Sequence, residues 1–417
     1  MFKPLQYMLG RLVASGNVVF LDHAGQAERF GDGNGPAIVV RLTDRATERA
    51  LCIDPELATA EAYMEGRLRF ESGTIYEFLD LMMRNWEQRP FPAWAQVFAT
   101  GRRLTRRLAQ YNPTSRSRRN VRHHYDIDPR LYTLFLDPDR QYSCAYFAGS
   151  SDLARAQLAK KRHIAAKLKI EPGMHVLDIG SGWGGLAFYL ARVTGADVTG
   201  LTLSLEQLTA SQARSQFEGL ADRVRFQPKD YREAAGTYDR IVSVGMFEHV
   251  GITHYSAFFS KIARLLAGDG VALIHTIGRA DGPTATNPFI SRYIFPGGYI
   301  PALSEIMPAI ERSGLILTDV EVLRLHYAET LKAWRERFLA NRARAVEIAG
   351  EPFCRIWEFY LAGSEAAFRY QKLVVFQIQL EKRLGSLPWT RDYMLENERR
   401  MALREGGPSQ RPRLAGE

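Results

Sequence analysis

The central part of the chain alternates short apolar runs with amphipathic segments of helical spacing. The apolar runs are rich in Val, Ile and Leu, which predicts buried strands. The predicted strands are 175–179, 196–203, 223–227, 239–244 and 271–276, and the predicted helices between them are 185–193, 205–217 and 253–267. Strands that alternate with helices are typical of a parallel sheet with helices on both faces. We therefore predict an α/β fold here.

The segments on either side of this region have different patterns. Residues 1–100 predict a small α+β domain without a catalytic motif. Its predicted strands are 17–21 and 37–42, and its predicted helices are 55–64 and 74–86. The region after Gly278 is rich in Pro, Gly and aromatic residues, and long helices are predicted at 328–348 and 353–384. Residues 396–417 predict a flexible tail.

Positive charge is concentrated between these domains. The net charge of +9 favours an anionic partner. Residues 101–122 contain eight arginines and no acidic residue, together with Pro and Ser. This composition is typical of a solvated linker, but it also suits contact with lipid phosphates. A nucleic-acid partner is disfavoured because the segment lacks interleaved aromatic residues for base stacking.

Other features of composition limit the compartment. The three cysteines, Cys52, Cys144 and Cys354, are too few and too scattered for a disulfide framework or a zinc site. We expect a reducing cytoplasm and no metal. The N-terminus lacks a signal-peptide pattern, and no run approaches the ~18 apolar residues of a spanning helix. Any membrane contact is therefore expected to be peripheral.

A glycine-rich turn follows the first predicted strand of the sheet. Gly180, Gly182 and Gly185 satisfy the dinucleotide pattern G-x-G-x-x-G. However, Asp178 precedes the turn, where a pyrophosphate would be a poor neighbour. The next strand also lacks the acid that a dinucleotide ribose requires at its end. An acid before a glycine turn suits a cationic ligand without phosphate, and we interpret the motif as an S-adenosylmethionine site.

Further polar residues follow the other strands, where such folds hold their ligands. Ser204 or Glu206 is a candidate helix cap, and Gln207 is free to reach a ligand. Asp230 and Tyr231 are placed to flank the adenine. Glu248 and His275 come from neighbouring strand ends, as titratable pairs of active sites do. Upstream, residues 139–147 are unusually aromatic and polar, which indicates a lid.

Together these segments resemble the cyclopropane-fatty-acyl-phospholipid synthases and the related mycolic acid cyclopropane synthases. The matching segments are Gln141-Tyr-Ser-Cys-Ala-Tyr-Phe147, Val176-Leu-Asp-Ile-Gly-Ser-Gly-Trp-Gly-Gly185, Leu201-Thr-Leu-Ser-Leu-Glu-Gln207, Met246-Phe-Glu-His-Val-Gly251, His275-Thr-Ile-Gly278, Phe295-Pro-Gly-Gly298 and His326-Tyr-Ala-Glu-Thr-Leu-Lys-Ala-Trp334. The glycine motif alone is common to this class of methyltransferase. Its combination with the cysteine loop and the Phe-Pro-Gly-Gly segment is highly specific.

The resemblance implies an architecture. It implies a Rossmann-like class I methyltransferase fold with a mostly parallel seven-stranded sheet and helical insertions. The implied domains are an N-terminal α+β lipid-carrier-like domain at 1–100, the arginine-rich linker 101–122, a catalytic domain at 123–395 and the tail 396–417. It further implies a homodimer in the cytoplasm, associated peripherally with the inner face of the membrane.

The resemblance also implies site residues. A bicarbonate ion would be held by Cys144, Glu248, His275, Tyr327 and the backbone of Ile277. The cofactor would be bound by Tyr142, Ser143, Gly180, Gly182, the segment from Thr202 and Leu203 through Gln207, Tyr231 and Arg232. The glycine turn and the strand ends, taken by themselves, add Asp178, Gly184 and Asp230 to the cofactor site. Some members carry a cysteine on a late helix where this chain has Ser364. An essential cysteine there is thus not expected, and Cys354 is interpreted as a packing residue.

The implied activity is transfer of a methylene group from S-adenosylmethionine to the cis double bond of an unsaturated phospholipid acyl chain, with bicarbonate as the base. Two other enzymatic functions and one non-enzymatic function stay open. The same cofactor could methylate the alkene without ring closure, giving a branched or methylene product. A nucleic-acid methyltransferase depends on the arginine segment alone. A non-catalytic lipid-binding protein is suggested only by residues 1–100.

Overall fold

The computed structural model describes residues 1–89, 91–109 and 128–405. These residues form two compact units. The unit that we call the N-terminal unit contains described residues of 1–109 together with 284–296 and 331–373. The sheet unit contains 128–283, 297–330 and 374–405.

The elements are as follows. The strands are β1 (Val18–Leu21), β2 (Ala27–Phe30), β3 (Ile38–Leu42), β4 (Leu68–Ser72), β5 (His175–Ile179), β6 (Asp197–Leu201), β7 (Val224–Gln227), β8 (Tyr238–Val244), β9 (Leu266–Arg279), β10 (Ile316–Val322) and β11 (Leu373–Glu381). The helices are α1 (Lys3–Leu12), α2 (Arg45–Ile53), α3 (Pro55–Met64), α4 (Ile75–Gln88), α5 (Val97–Ala109), α6 (Pro129–Phe135), α7 (Leu153–Leu168), α8 (Gly185–Thr194), α9 (Leu205–Phe217), α10 (Tyr255–Leu265), α11 (Leu303–Ser313), α12 (His326–Ala340), α13 (Arg342–Tyr370) and α14 (Asp392–Glu405). Short turns of 3-10 helix lie at Ala93–Gln96, Tyr231–Glu233, Phe247–His249 and Ile252–His254, and a π-helical turn lies at Ile290–Ile294.

The N-terminal unit contains a four-stranded sheet in the order β2-β1-β3-β4. β1 pairs in parallel with β3, and the other pairs are antiparallel. Residues from the predicted catalytic range 123–395 also belong to this unit. The Phe289 ring packs edge-on against Phe359 of α13 at 4.8 Å, and the Tyr293 hydroxyl donates to Glu61 Oε1 at 2.8 Å. Aromatic packing and this partly buried hydrogen bond explain why residues 284–296 lie with the N-terminal unit.

The sheet unit contains the predicted mostly parallel sheet, whose seven strands have the order β10-β11-β9-β8-β5-β6-β7. β5 pairs in parallel with β6 and β8, β6 with β7, and β8 with β9, whereas β10 and β11 are antiparallel. Helices cover both faces with separate hydrophobic clusters, one including α10 and α11 and the other including α8 and α14. The sequence-based prediction of this fold is confirmed. The ligand-binding edge is the one where β5, β6, β8 and β9 end.

The late helices and the tail differ from the sequence prediction. The helix predicted at 328–348 ends at Ala340, and α13 begins at Arg342. The helix predicted at 353–384 ends at Tyr370, because Lys372 adopts a left-handed backbone conformation (φ 55°) and Leu373–Glu381 form β11. This strand is buried almost throughout, and its residues 376–381 alternate apolar and polar side chains, a strand signal that the helix prediction overlooked. The predicted tail 396–417 is helical as far as Glu405, and residues 406–417 lie outside the described part.

The tail prediction is wrong for residues 396–405, because helix α14 has an apolar face that the sheet unit buries. Met394 and Met401 belong to the hydrophobic cluster on one face of the sheet. Glu405 accepts hydrogen bonds from Tyr189 at 2.6 Å and from Arg162. The charged residues between these positions made the segment look polar as a whole.

The arginine-rich segment is described only in part. Residues 101–109 belong to helix α5, and the remainder of the predicted linker, 110–122, lies outside the described residues. Within the described residues, no helix combines the length and the apolar character that crossing a bilayer requires.

The packing of α14 leads to a stability prediction. Met401 is 2% exposed, whereas Leu403 on the same helix is 85% exposed. Met401→Ala should lower the free energy of unfolding by about 2–5 kcal/mol, because truncating a buried side chain leaves a cavity. Urea denaturation followed by circular dichroism measures this. Leu403→Ala is the control and should change stability by less than ~0.5 kcal/mol; equal losses would show that the helix is not packed as described.

Candidate active site

The glycine turn after β5 makes room for a ligand and for a neighbouring loop. Gly180 and Gly182 both have positive φ, at 86° and 54°, which glycine adopts without steric cost. A side chain at Gly185 would overlap the Asp139 carboxylate and the Gln141 amide. The loop before α7 therefore lies directly on the first turn of α8, and only glycine permits this approach.

A cavity opens at this turn, along the carboxyl ends of the parallel strands. Asp178 and the glycine turn form one wall, and β6, β7 and β8 contribute their following loops. The predicted cofactor residues that line it are Tyr142, Ser143, Asp178, Gly180, Gly182, Thr202, Leu203, Gln207, Asp230, Tyr231 and Arg232. Gly184 lies outside this lining. A Cβ there would lie 2.6 Å from Phe226 Cζ, so Gly184 permits close packing of the helix start instead.

The loops after β6 and β7 are preorganised by their own side chains. Ser204 Oγ accepts from the Gln207 N–H at 3.3 Å and caps α9, as predicted. Gln207 Oε1 in turn accepts from Thr202 Oγ1 at 3.1 Å. The Asp230 carboxylate forms a two-point ion pair with Arg232, with distances of 2.8 and 2.7 Å. The Asp230 charge at the cavity wall is therefore balanced by the Arg232 guanidinium.

Asp178 is the most constrained polar group of the cavity. Its side chain is 2% exposed, and Oδ2 has no hydrogen-bond partner among the described residues. Burial raises the pKa of Asp178 to about 7, although the nearby Lys160 ammonium opposes this effect. A buried carboxylate without a partner is costly. The atom is thus suited to accept a hydrogen bond from a cationic ligand.

Lys160 also lines the cavity, and the sequence analysis missed it. It lies on α7 and is 1% exposed, which is rare for lysine. Its sequence signal was weak: Lys160 and Lys167 share a helix face with Ala156 and Ile164. Charged residues seven apart among apolar ones are more often solvated than buried.

The cysteine loop, which we define as residues 141–147, is held from two sides. The Gln157 amide of α7 donates to the Ser143 carbonyl at 3.0 Å. On the other side, the Ala145 N–H donates to Thr330 Oγ1 at 3.0 Å and the Phe147 N–H donates to His326 Nδ1 at 2.9 Å. These bonds tie the loop to α7 and α12, and Tyr142 and Ser143 of the loop line the cavity, where a segment covering the cofactor was predicted. Cys144 directly precedes Ala145, which bonds Thr330 of α12, the helix that also contains Tyr327.

Glu248 and His275 belong to adjacent strand ends, as expected. Val244 pairs with His275 in the register of β8 and β9, and Glu248 lies in the 3-10 turn just after β8. Glu248 Oε1 accepts from the Ile277 N–H at 2.6 Å. Glu248 Oε2 is buried and has no hydrogen-bond partner among the described residues. Two of the five predicted anion ligands are thus in direct contact with each other.

Burial controls the charges of this second set of groups. It raises the pKa of Glu248 to about 7 and lowers the pKa of His275 to about 3, so the imidazole is neutral. His275 Nδ1 accepts from the Gln377 amide at 3.1 Å, with the amide nitrogen as donor, which leaves the proton on Nε2. Burial also raises the pKa of the Cys144 thiol, which therefore stays protonated. None of the five predicted anion ligands lines the cofactor cavity itself.

The two late-helix positions lie in the N-terminal unit. Cys354 is fully buried in α13 and contributes to packing there, and Ser364 lies on the same helix. The pKa of the Cys354 thiol is raised by burial, so it is poorly suited to act as a nucleophile.

Comparison with known proteins agrees with this geometry. Residues 112–378 match the family described as mycolic acid cyclopropane synthetase. A probable fatty acid methyltransferase of Pseudomonas putida is 42% identical over 66% of this chain and 73% of its own length. The cyclopropane-fatty-acyl-phospholipid synthase of Escherichia coli K12 is 35% identical over 83% of this chain and 88% of its own length.

A solved structure shows the same fold with a cofactor product bound. Mycolic acid cyclopropane synthase CmaA1, complexed with SAH (S-adenosylhomocysteine) and CTAB, superimposes with a TM-score of 0.60 at 34% identity. The alignment covers 66% of this chain and 100% of that chain. The chain therefore belongs to the mycolic acid cyclopropane synthetase family, and it is an S-adenosylmethionine-dependent methyltransferase.

Proposed function

We propose that this enzyme converts the cis double bond of an unsaturated phospholipid acyl chain into a cyclopropane ring. The observation that carries the proposal is the hydrogen bond of the buried Glu248 carboxylate to the Ile277 N–H, with His275 on the adjoining strand end, beside the cofactor cavity. The Escherichia coli relative, which is named for this reaction, supports the same substrate class.

The chemistry requires a dry site. An alkene is a weak nucleophile, so the cofactor's methyl group must be held about 3–3.5 Å from it. S-adenosylmethionine supplies that methyl group as an electrophile. The cation then formed on the acyl chain would be quenched by water. Glu248, His275 and Phe247 are each less than one-tenth exposed, so the chain provides the water exclusion that this step needs.

Ring closure also requires a base, and the residues suit a small anion that takes this role. Bound bicarbonate would supply a base for the proton that leaves the added methyl group. Glu248 Oε2 offers an unused acceptor for the anion's hydroxyl, and neutral His275 offers its Nε2–H as donor. The Ile277 N–H is already engaged by Glu248, so an anion would have to share this donor. Cys144 and Tyr327 are proposed as the remaining ligands.

A second candidate is methylation of the alkene without ring closure. The Pseudomonas putida relative is named only as a probable fatty acid methyltransferase, and this name favours the alternative. Both candidates use the same cofactor cavity and acyl substrate, and they differ only in the fate of the cation.

We also propose that the enzyme acts at the inner face of the cytoplasmic membrane, as a peripheral homodimer. The net charge of +9 and the arginine-rich segment support attraction to anionic lipid, and the family resemblance supports dimerisation. Sedimentation equilibrium tests the dimer against a single-chain mass of 47.2 kDa.

The product distinguishes the two candidate reactions. Purified enzyme, S-adenosylmethionine and vesicles of cis-unsaturated phospholipid should give acyl chains that are one CH2 heavier and contain no alkene. Mass spectrometry and the upfield proton signals of a cyclopropane check this. A heavier chain that still reacts as an alkene would favour the alternative. Omission of bicarbonate from carbon-dioxide-depleted buffer should slow the reaction.

Removing either of the side chains proposed to bind the anion, Glu248 or His275, should slow proton removal. Glu248→Gln and His275→Ala are expected to lower kcat by at least about 100-fold, the scale of general-base catalysis. Since burial raises the pKa of Glu248 to about 7 and its role needs the ionised form, wild-type kcat should fall as the pH decreases through 7.

The matched control is Glu381→Gln, which neutralises another buried carboxylate. Glu381 is the last residue of β11 and lies opposite Ile316 of β10 in the strand register. The N–H of the following Lys382 donates to the Gly270 carbonyl near the start of β9, so Glu381 lies at the end of the sheet away from the cofactor cavity. Its kcat should stay near wild type. Near-normal turnover by Glu248→Gln would refute the proposed role.

Membrane binding should depend on the arginine-rich segment. Replacing Arg116, Arg118 and Arg119 by Gln should weaken co-sedimentation with phosphatidylglycerol vesicles, by up to ~1 kcal/mol per residue. The control replaces the exposed residues Arg223, Arg225 and Arg264 by Gln, which removes the same charge elsewhere. Equal weakening by both triple variants would mean that net charge alone governs binding.

A further inference from the structure

We propose that Lys160 is a positioning residue for the cofactor: its ammonium anchors Gln141 and Ser143 and provides a counter-charge for the buried Asp178 carboxylate that lines the same cavity. The inference rests on the S-adenosylmethionine dependence and does not depend on the lipid product or on bicarbonate. It can therefore stand or fall separately from the proposed ring closure.

The contacts of Lys160 define its anchoring role. Nζ donates to Gln141 Oε1 at 2.5 Å and to Ser143 Oγ at 2.8 Å. Tyr142, which also lines the cavity, lies between these two anchors in the chain. Gln157, almost one helical turn earlier on α7, bonds the carbonyls of Gln141 and Ser143 at 3.3 and 3.0 Å. Helix α7 thus holds both the side chains and the backbone of this cavity wall.

None of the direct hydrogen-bond partners of Lys160 is an anion, although the carboxylates of Asp137 and Asp139 also favour its charged form. Both direct acceptors, an amide oxygen and a hydroxyl, are neutral. The neighbouring Lys161 differs, because its Nζ bonds Asp139 Oδ2 at 2.5 Å, and Asp139 also pairs with Arg214 at 2.7 Å. Lys161 is thus neutralised in an ion pair that does not line the cavity.

The carboxylate that needs a counter-charge is Asp178. Its Oδ2 is buried without a hydrogen-bond partner among the described residues. The Lys160 ammonium lowers the pKa of this carboxyl against the effect of burial, and burial lowers the pKa of Lys160 itself to about 8. Asp137 and Asp139 favour the charged ammonium, and Lys161 disfavours it. With a pKa of about 7, Asp178 is partly ionised at neutral pH, and its ionised form can bind the cationic cofactor.

The experiment compares Lys160→Met with Lys161→Met, its matched control. Isothermal titration calorimetry with S-adenosylhomocysteine measures binding without any lipid. Lys160→Met should raise Kd at least about tenfold, Lys161→Met less than about threefold, and Lys160→Arg should recover part of the loss because it restores the charge. In turnover assays Lys160→Met should raise KM for S-adenosylmethionine more than it lowers kcat.

Two results would overturn the proposal. One is wild-type affinity in Lys160→Met, and the other is an equal loss in Lys161→Met, which would indicate a general effect of removing a buried cation. If Lys160→Met folds poorly, its melting temperature is compared with that of the double variant Lys160→Met/Asp178→Asn. The double variant should melt higher than Lys160→Met, because the uncompensated carboxylate is gone; no recovery would contradict the charge pairing.

Discussion

The site depends on a carboxylate kept out of water at the end of the first sheet strand. Asp178 is buried between two parallel neighbours, β6 and β8, and one of its oxygens has no hydrogen-bond partner among the described residues. An ionised carboxylate in such surroundings is unfavourable unless a cation lies nearby. Lys160, which lines the same cavity, supplies one positive charge, and a cationic ligand in the cavity would supply a second. Discrimination in favour of a cationic cofactor without phosphate follows from this arrangement.

The cysteine loop joins this cofactor cavity to the groups proposed for proton removal. Helix α7 holds its first half through Lys160 and Gln157, and Thr330 and His326 hold its second half. The Lys160 charge affects the pKa of both Cys144 and His275, so the two sets of groups share one electrostatic environment. Because His275 is neutral and Glu248 titrates near neutral pH, small changes in this environment alter which group holds a proton.

Much of the fold could be predicted because its signals are local. The glycine turn, the strands that precede it and the helix cap at Ser204 each depend on a few consecutive residues, and the structure confirms them. β11 and α14 were misread for different reasons. In β11 the alternation over residues 376–381 was overlooked, and its polar Gln377 and Gln379 are buried because they bond His275 and the Lys167 carbonyl. In α14 the polar majority hid the methionines that the helix buries.

The sequence by itself determined which chemistry stands at the strand ends: a carboxylate before a glycine turn, and Glu248 and His275 after the next strands of the edge. Each is placed by the chain's local path, so its position follows from the order of elements. Only the tertiary structure decided how these groups are paired. The structure shows that the Ile277 N–H bonds Glu248 and that Arg232 forms an ion pair with Asp230. It also shows that Lys160 of helix α7 is buried near Asp178. The first and third of these contacts arise from packing between segments remote in sequence. A lysine on a helix carries no local mark of burial, because burial depends on what packs against that face.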